Sequence, residues 1–300
     1  MSKEQRAKVD AMLRQPRPQG PRSVEELRAG FAALMSQMIV PPGIRTQATT
    51  LGDRPAVLVE PVDGPKHGTI LYFHGGGFVF GSPGTAMSLT ANLVTRTGFK
   101  AFSLDYRLAP EHPFPAAIED TLGAYRALLD SGEDPSAIAF AGDSAGGGLT
   151  VTTCLAARDA GLPMPAAIVA FSPGLDQTRT GESMETKAGA DPIFTLEAVR
   201  HTGAMYLAGQ DPHQPLLSPA VLADPSGLPP MLLQVGTNEI LLDDSTRLAA
   251  RARTAGVDVI LDVTADVPHV FQSFAGVLDE ADDALDRAAL FLGQRVRADR

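Results

Sequence analysis

The stretch Ala137-Ile138-Ala139-Phe140-Ala141-Gly142-Asp143-Ser144-Ala145-Gly146-Gly147 decides how this chain is read. Five apolar residues make a short buried strand, and the run from Leu149 to Leu155 makes a helix. Between them the chain must turn sharply. A Gly-x-Ser-x-Gly turn in that setting strains the serine backbone and leaves its hydroxyl exposed where the helix begins. The helix dipole there favours developing negative charge. A Cβ at Gly142 or Gly146 would collide with the neighbouring strand or helix, which accounts for both glycines. The pattern points to a nucleophile at Ser144. Loose five-residue patterns also occur in glycine-rich turns without chemistry, so the rest of the chain must supply a base, an acid and donors for an oxyanion.

Outward from this stretch the chain alternates strand with helix. Residues 57–59, 69–73, 101–104, 166–171, 231–235 and 257–263 read as strands. Residues 87–96, 116–129, 243–255 and 279–296 read as helices, with Pro115 at the first helical position of one and Gly256 stopping another. This rhythm implies an α/β fold, a mostly parallel central sheet with helices on both faces. Residues 175–225 break it with Gly, Pro, Thr and Met and weak helical pieces, and read as a cap insertion above the sheet. Residues 1–45 stand apart as an N-terminal cap segment preceding a catalytic domain over 46–300. That segment holds a polar helix-like stretch and a Pro/Gly break at 16–21. Ser23 and Glu26 then form a capping box, opening a helix with Leu27, Phe31, Leu34, Met35 and Met38 on one face. Pro41-Pro42-Gly43 ends it.

Composition sets the outer limits. The 300 residues are 44% hydrophobic and 20% charged, as in ordinary globular domains, and the net charge is −10. That balance gives no electrostatic footprint for nucleic acid or an anionic membrane. The single cysteine, Cys154, excludes an internal disulfide and a cysteine-based zinc site and reads as a small buried hydrophobe. No apolar signal segment or long apolar span is visible, so a cytoplasmic location is the expectation.

Six histidines compete for the role of base. His67 and His213 lie in polar loops, His201 lies in the cap insertion, and His112 lies in a proline-rich turn. His269 stands just after the last strand, at the end of the sheet where open α/β folds keep their sites, and is the best candidate. The acid should come from a loop between Ser144 and His269. Glu239 follows the strand at 231–235. Asp243 and Asp244 fall at the next helix start, where capping is the common fate of an aspartate. Glu239 is the preferred orienter of His269, with Asp243 the alternative. The triple glycine of His74-Gly75-Gly76-Gly77-Phe78 lets backbone N–H groups point at a substrate oxygen, and the expected donors are Gly76, Gly77 and Ala145. No Gly-x-x-x-x-Gly-Lys-Ser/Thr or Gly-x-Gly-x-x-Gly pattern supports a phosphate cradle instead.

Taken together, His74–Phe78 with Gly81, the run from Tyr106 to Ala117, Gly142–Gly147 and Pro268-His269-Val270-Phe271 resemble the bacterial hormone-sensitive lipase family of esterases. The resemblance covers about residues 46–300. It implies an α/β-hydrolase core with a helical cap, and carboxylester hydrolysis without cofactor or metal. It also implies Ser144 as nucleophile, His269 as base, and Gly76, Gly77 and Ala145 as oxyanion donors. The segment from Tyr106 to Pro115 is mainly architectural in that family. Relatives often dimerise, and a homodimer is allowed. Two positions depart from the family pattern. Glu239 stands where aspartate is more usual, and Ser172-Pro173-Gly174 stands where a bulky aromatic is common, which would widen the pocket at Gly174.

The function expected is a serine carboxylesterase acting on short- to medium-chain acyl esters. Phe78, Met35, Met38, Gly174, Phe194, Met205 and Tyr206 are the expected substrate-binding residues, the Met-rich part of that wall being adaptable to varied shapes. Wording around Gly174–Asp176 and residues 239–244 is also similar to the ε-lactone hydrolases of monoterpene degradation, which leaves a lactone as the alternative substrate. The competing class is a non-catalytic binding module. Plant gibberellin receptors resemble this family but lack the histidine, whereas this chain has serine, histidine and a carboxylate.

Overall fold

The computed structural model describes residues 2–15 and 23–296. The expected break at 16–21 lies outside the described residues. Eight strands form one sheet: β1 (Ile44–Leu51), β2 (Arg54–Pro61), β3 (Thr69–Phe73), β4 (Lys100–Leu104), β5 (Ile138–Asp143), β6 (Ala167–Phe171), β7 (Met231–Gly236) and β8 (Val259–Thr264). Their order is β1-β2-β4-β3-β5-β6-β7-β8. β1 pairs antiparallel with β2, and β2 with β4, while every other pairing is parallel. The hydrolase-type α/β architecture expected above is therefore present.

Helices α1 (Ser2–Leu13), α2 (Val24–Met35), α3 (Met87–Thr97), α4 (Ala116–Asp130), α5 (Ala145–Asp159), α6 (Ser183–Thr186), α7 (Leu196–Leu207), α8 (Pro219–Leu222), α9 (Leu242–Thr254) and α10 (Asp279–Arg295) surround the sheet. Side chains alternate across the strands with period two. Leu71, Phe73, Ile138 and Phe140 pack with Leu128 of α4, Leu149 and Cys154 of α5 and Leu248 of α9. Ile70, Tyr72, Ala139 and Ala141 face the other way, against Leu89 and Leu93 of α3 and Leu285 and Leu292 of α10. Both faces are thus dry, which is why β3, β5 and β6 are buried along their whole length.

Several details differ from the sequence reading. The sheet begins at Ile44, ahead of the expected boundary at 46, because β1 is a mostly exposed, threonine-rich edge strand with no apolar alternation to betray it. Pro115 occupies the N-cap of α4 rather than its first turn. The capping box of Ser23 and Glu26 is formed, but α2 ends at Met35. Met38 lies beyond the helix and packs with Val9, Leu13 and Phe274. In the 175–225 segment α7 is a full helix, capped by Thr195, whose hydroxyl accepts from the amide of Ala198 at 3.2 Å.

Candidate active site

The chain moves leftward from β3 to β4 and then rightward past β3 to β5. The strand ends of β3 and β5 therefore flank the point where the sheet order reverses, the usual place for a site in an open α/β sheet. Ser144 sits there, between β5 and α5, with φ 52° and ψ −118°. Its N–H donates to the Phe171 carbonyl at 2.8 Å, and its carbonyl accepts from Gly148 at 3.0 Å and Gly174 at 2.9 Å. These bonds hold a backbone conformation that L-residues rarely adopt. A Cβ on Gly146 would lie 2.0 Å from the Phe73 carbonyl oxygen, and one on Gly142 would lie 2.5 Å from the Gly146 oxygen. The turn closes only because both are glycine.

Three side chains converge at this point. His269 Nε2 lies 2.9 Å from Ser144 Oγ, and His269 Nδ1 lies 2.7 Å from Glu239 Oε2. Glu239 comes from the loop after β7 and is fully buried, and His269 comes from the loop after β8 and is nearly so. Glu239 Oε1 accepts from Ser172 Oγ at 2.7 Å and from the amide of Gly236 at 2.5 Å. Burial alone would depress the basicity of His269. The adjacent Glu239 carboxylate outweighs it, with help from Asp191 and Asp143, and the imidazole titrates above its usual value. A hydroxyl, an imidazole and a carboxylate in this order can move the hydroxyl proton onto imidazole and stabilise the resulting cation.

Asp243 and Asp244 do not reach this histidine, and neither caps α9, whose N-cap residue is Leu241. Asp243 Oδ2 accepts from the amide of Ser183 at 2.8 Å. Asp244 is buried and accepts from the amides of Leu175 at 2.6 Å and Asp176 at 3.0 Å. Both tie the 175–183 segment to the start of α9, a role set by distant backbone that local spacing does not reveal. Burial pushes the Asp244 carboxyl up to about 7.

The glycine loop follows β3. Gly76 and Gly77 have φ of 120° and 60°, which turns the loop toward the end of β5. Among the described residues, the N–H groups of Gly76, Gly77 and Ala145 take no part in the chain's own backbone turn and loop hydrogen bonds. A Cβ on Gly75 would lie 2.2 Å from Asp143 Oδ2. Asp143 is a partner the sequence reading missed. Its buried carboxyl, pushed up to about 6 by desolvation, accepts from Tyr72 Oη at 2.8 Å and from the Gly75 amide, fixing the loop beside Ser144. His74 is also buried, its basicity lowered to about 4 by desolvation, and its ring stacks on Tyr106 at 4.1 Å. Arg28 of α2 donates to the Val79 carbonyl at 2.9 Å and pairs with Glu111, which clips α2 to this same loop.

The expected substrate-contacting residues separate into groups. Phe194 lies 4.7 Å from the His269 ring, centroid to centroid, held by Asp191, which accepts from its amide and from that of Ile240. Gly174 has room for a Cβ, whose nearest atom, the Ser144 carbonyl oxygen, would lie in ordinary contact at 3.9 Å. Phe78, from the loop after β3, and Tyr206, from α7, are buried and stack on each other at 3.8 Å. Met205 packs against the main core, and Met38 joins the cluster at α1 and α10. Met35 is half-buried on α2. His67, His112, His201 and His213 are exposed and away from these three groups.

Comparison with known proteins places the chain in a family. Residues 70–273 match the model of a family described as having the alpha/beta hydrolase fold. The chain belongs to the α/β-hydrolase family. It is 42% identical over 255 residues to an acetyl-hydrolase of Streptomyces hygroscopicus, covering 84% of this chain and 83% of that protein. A crystal structure of an esterase from the bacterial hormone-sensitive lipase family superposes with a TM-score of 0.94 at 41% identity, covering 98% of this chain and 99% of the other. EstE5, in a crystal soaked with p-nitrophenyl butyrate, superposes with a TM-score of 0.92 at 38% identity, covering 97% and 98%. This α/β-hydrolase is a carboxylic ester hydrolase of the hormone-sensitive lipase family. No helix among the described residues is long and apolar enough to cross a membrane.

Proposed function

We propose that this hydrolase cleaves short- to medium-chain acyl esters through an acyl-enzyme on Ser144. The observation that carries the reading is the unbroken chain Ser144–His269–Glu239, at 2.9 and 2.7 Å. In the first half-reaction Ser144 Oγ attacks the ester carbonyl and gives its proton to His269 Nε2. His269 returns that proton to the leaving alcohol. Water then attacks the acyl-enzyme with the same imidazole as base. The amides of Gly76, Gly77 and Ala145 receive the oxyanion in both steps, and losing one such donor typically costs about 3 kcal/mol.

The N-terminal segment and the 175–225 insertion act together as the cap over this site. Support comes from Phe31 of α2 packing on Phe80 at 4.9 Å and from Thr202 of α7 standing 3.6 Å from a Cβ position on Gly77. Phe194, Gly174 and Met35 then border the substrate. The short-chain preference is supported by relatives named for an acetyl group and soaked with a butyrate ester.

A panel of p-nitrophenyl esters of rising chain length, with an ε-lactone beside them, tests this reading on wild type and Ser144→Ala. Turnover highest with short acyl chains and lost in the variant supports it. Preference for the lactone over every ester would replace the substrate class, and no turnover by wild type would remove the proposal.

A further inference from the structure

Ser172 is the first residue beyond β6, and no reading of the motifs assigns it a task. It is fully buried and held in the left-handed region at φ 46°. Its N–H donates to the Gln234 carbonyl of β7 at 2.7 Å, which fixes the backbone in that conformation. The hydroxyl then makes two bonds. It donates to Glu239 Oε1 at 2.7 Å and accepts from the amide of Val270 at 3.0 Å. Val270 directly follows His269 and is itself left-handed, at φ 50°. A hydroxyl has one proton to give. With Val270 N–H on its acceptor side, that proton is directed at the carboxylate.

Glutamate has one more rotatable bond than aspartate, so its carboxylate has more freedom to lose when it must face one imidazole nitrogen. Ser172 and the Gly236 amide together occupy Oε1 and leave Oε2 to His269. We propose that Ser172 is a positioning residue of the reaction, whose single hydroxyl locks the Glu239 carboxylate and the His269 loop into one working geometry. This rests on the reading of Ser144, His269 and Glu239 as the reacting group and its helpers.

Ser172→Ala and Ser172→Gly test it. Glycine adopts a positive φ without strain, so the second variant removes the hydroxyl while keeping the backbone comfortable. Hydrogen bonds to ionised groups are among the stronger ones, and kcat for p-nitrophenyl butyrate is expected to fall about ten- to hundredfold with KM within about threefold. The acid limb of kcat/KM supplies the readout that a merely structural role would not move. Three carboxylates face His269: Glu239 after β7, Asp191 ahead of α7 and Asp143 at the end of β5. A Glu239 carboxylate freed from Ser172 drifts off Nδ1 and stops supporting the imidazolium, so the limb moves to lower pH. Ser172→Cys, near in size and a weaker donor, falls between. An acid limb that stays in place in all three variants overturns the proposal, whether or not kcat falls. Labelling of wild-type Ser144 by a fluorophosphonate separates the two levels: if wild type neither labels nor turns over, the underlying reading has failed rather than the role of Ser172.

Discussion

Glu239→Gln is the substitution whose outcome the hydrogen bonds dictate in most detail. The side chain keeps its shape and loses its charge. Its carbonyl oxygen is claimed by two donors, the Ser172 hydroxyl and the Gly236 amide. The amide NH2 must therefore face His269 Nδ1. An NH2 is a donor, so Nδ1 has to become the acceptor and the ring proton moves to Nε2. The nitrogen that faces Ser144 is then no longer a base. The variant also loses the attraction that stabilises the imidazolium. At the 2.7 Å seen here, an effective dielectric of about 20 makes that attraction about 6 kcal/mol. At about 1.4 kcal/mol per decade this is an upper bound near four decades of rate. A kcat for p-nitrophenyl butyrate lower by about 10³- to 10⁴-fold is expected, the size of loss that follows the same tautomer error in other triads. KM should change little, and the melting temperature should be close to wild type. Asp243→Asn, whose carboxylate is turned to Ser183, should leave kcat within about threefold. A folded Glu239→Gln enzyme within tenfold of wild type, or Asp243→Asn as the inactive variant, would mean that Glu239 does not orient His269.

Other consequences follow from the same contacts. His269 must be neutral to act as base, and its affinity for protons is raised by Glu239, so kcat/KM should climb with pH through an apparent value above the ordinary histidine value of about 6.5; a pH–rate profile with its acid limb below that value would count against it. Asp244 binds its proton more tightly folded than unfolded, so its contribution to stability is present at low pH and is lost as pH rises from about 4 to about 7. Asp244→Asn should therefore gain melting temperature relative to wild type between about pH 5 and about pH 8, and a difference constant across that range would contradict the burial argument. Gly146→Ala should cost about 3 kcal/mol or more in denaturant titrations because its Cβ meets a backbone oxygen, whereas Gly174→Ala, whose Cβ would make only an ordinary contact, should cost under about 1 kcal/mol; equal costs would mean the turn is looser than it is drawn.

Much of the site could be read in the sequence because each feature is local. Gly142 and Gly146 lie within four residues of each other and of the serine they make room for. His74–Phe78 announces its own backbone conformation, and the strands before the glycine loop and the serine turn are short, buried, largely apolar runs. What could not be read depends on chain segments brought together by the sheet. Ser172 meets Glu239 across 67 residues, and Asp143 meets Tyr72 across 71. Asp243 and Asp244 occupy a helix start, where capping is the local expectation, yet they serve the 175–183 segment instead. The edge strand β1 was hidden for a different reason: with little of it buried, it carries no period-two hydrophobic signal. Aromatic residues were the least legible. Phe78, Tyr206 and Phe194 look alike in sequence, but two stack in the interior and one meets the histidine.

The claim that everything else depends on is that Ser144 Oγ is the atom that attacks. Incubation with a fluorophosphonate, followed by peptide mass mapping, tests it most directly. One adduct per chain on the peptide containing Ser144, loss of esterase activity in step with labelling, and no adduct in Ser144→Ala are the predicted results. An adduct on another residue, or undiminished ester turnover by Ser144→Ala, would contradict the account.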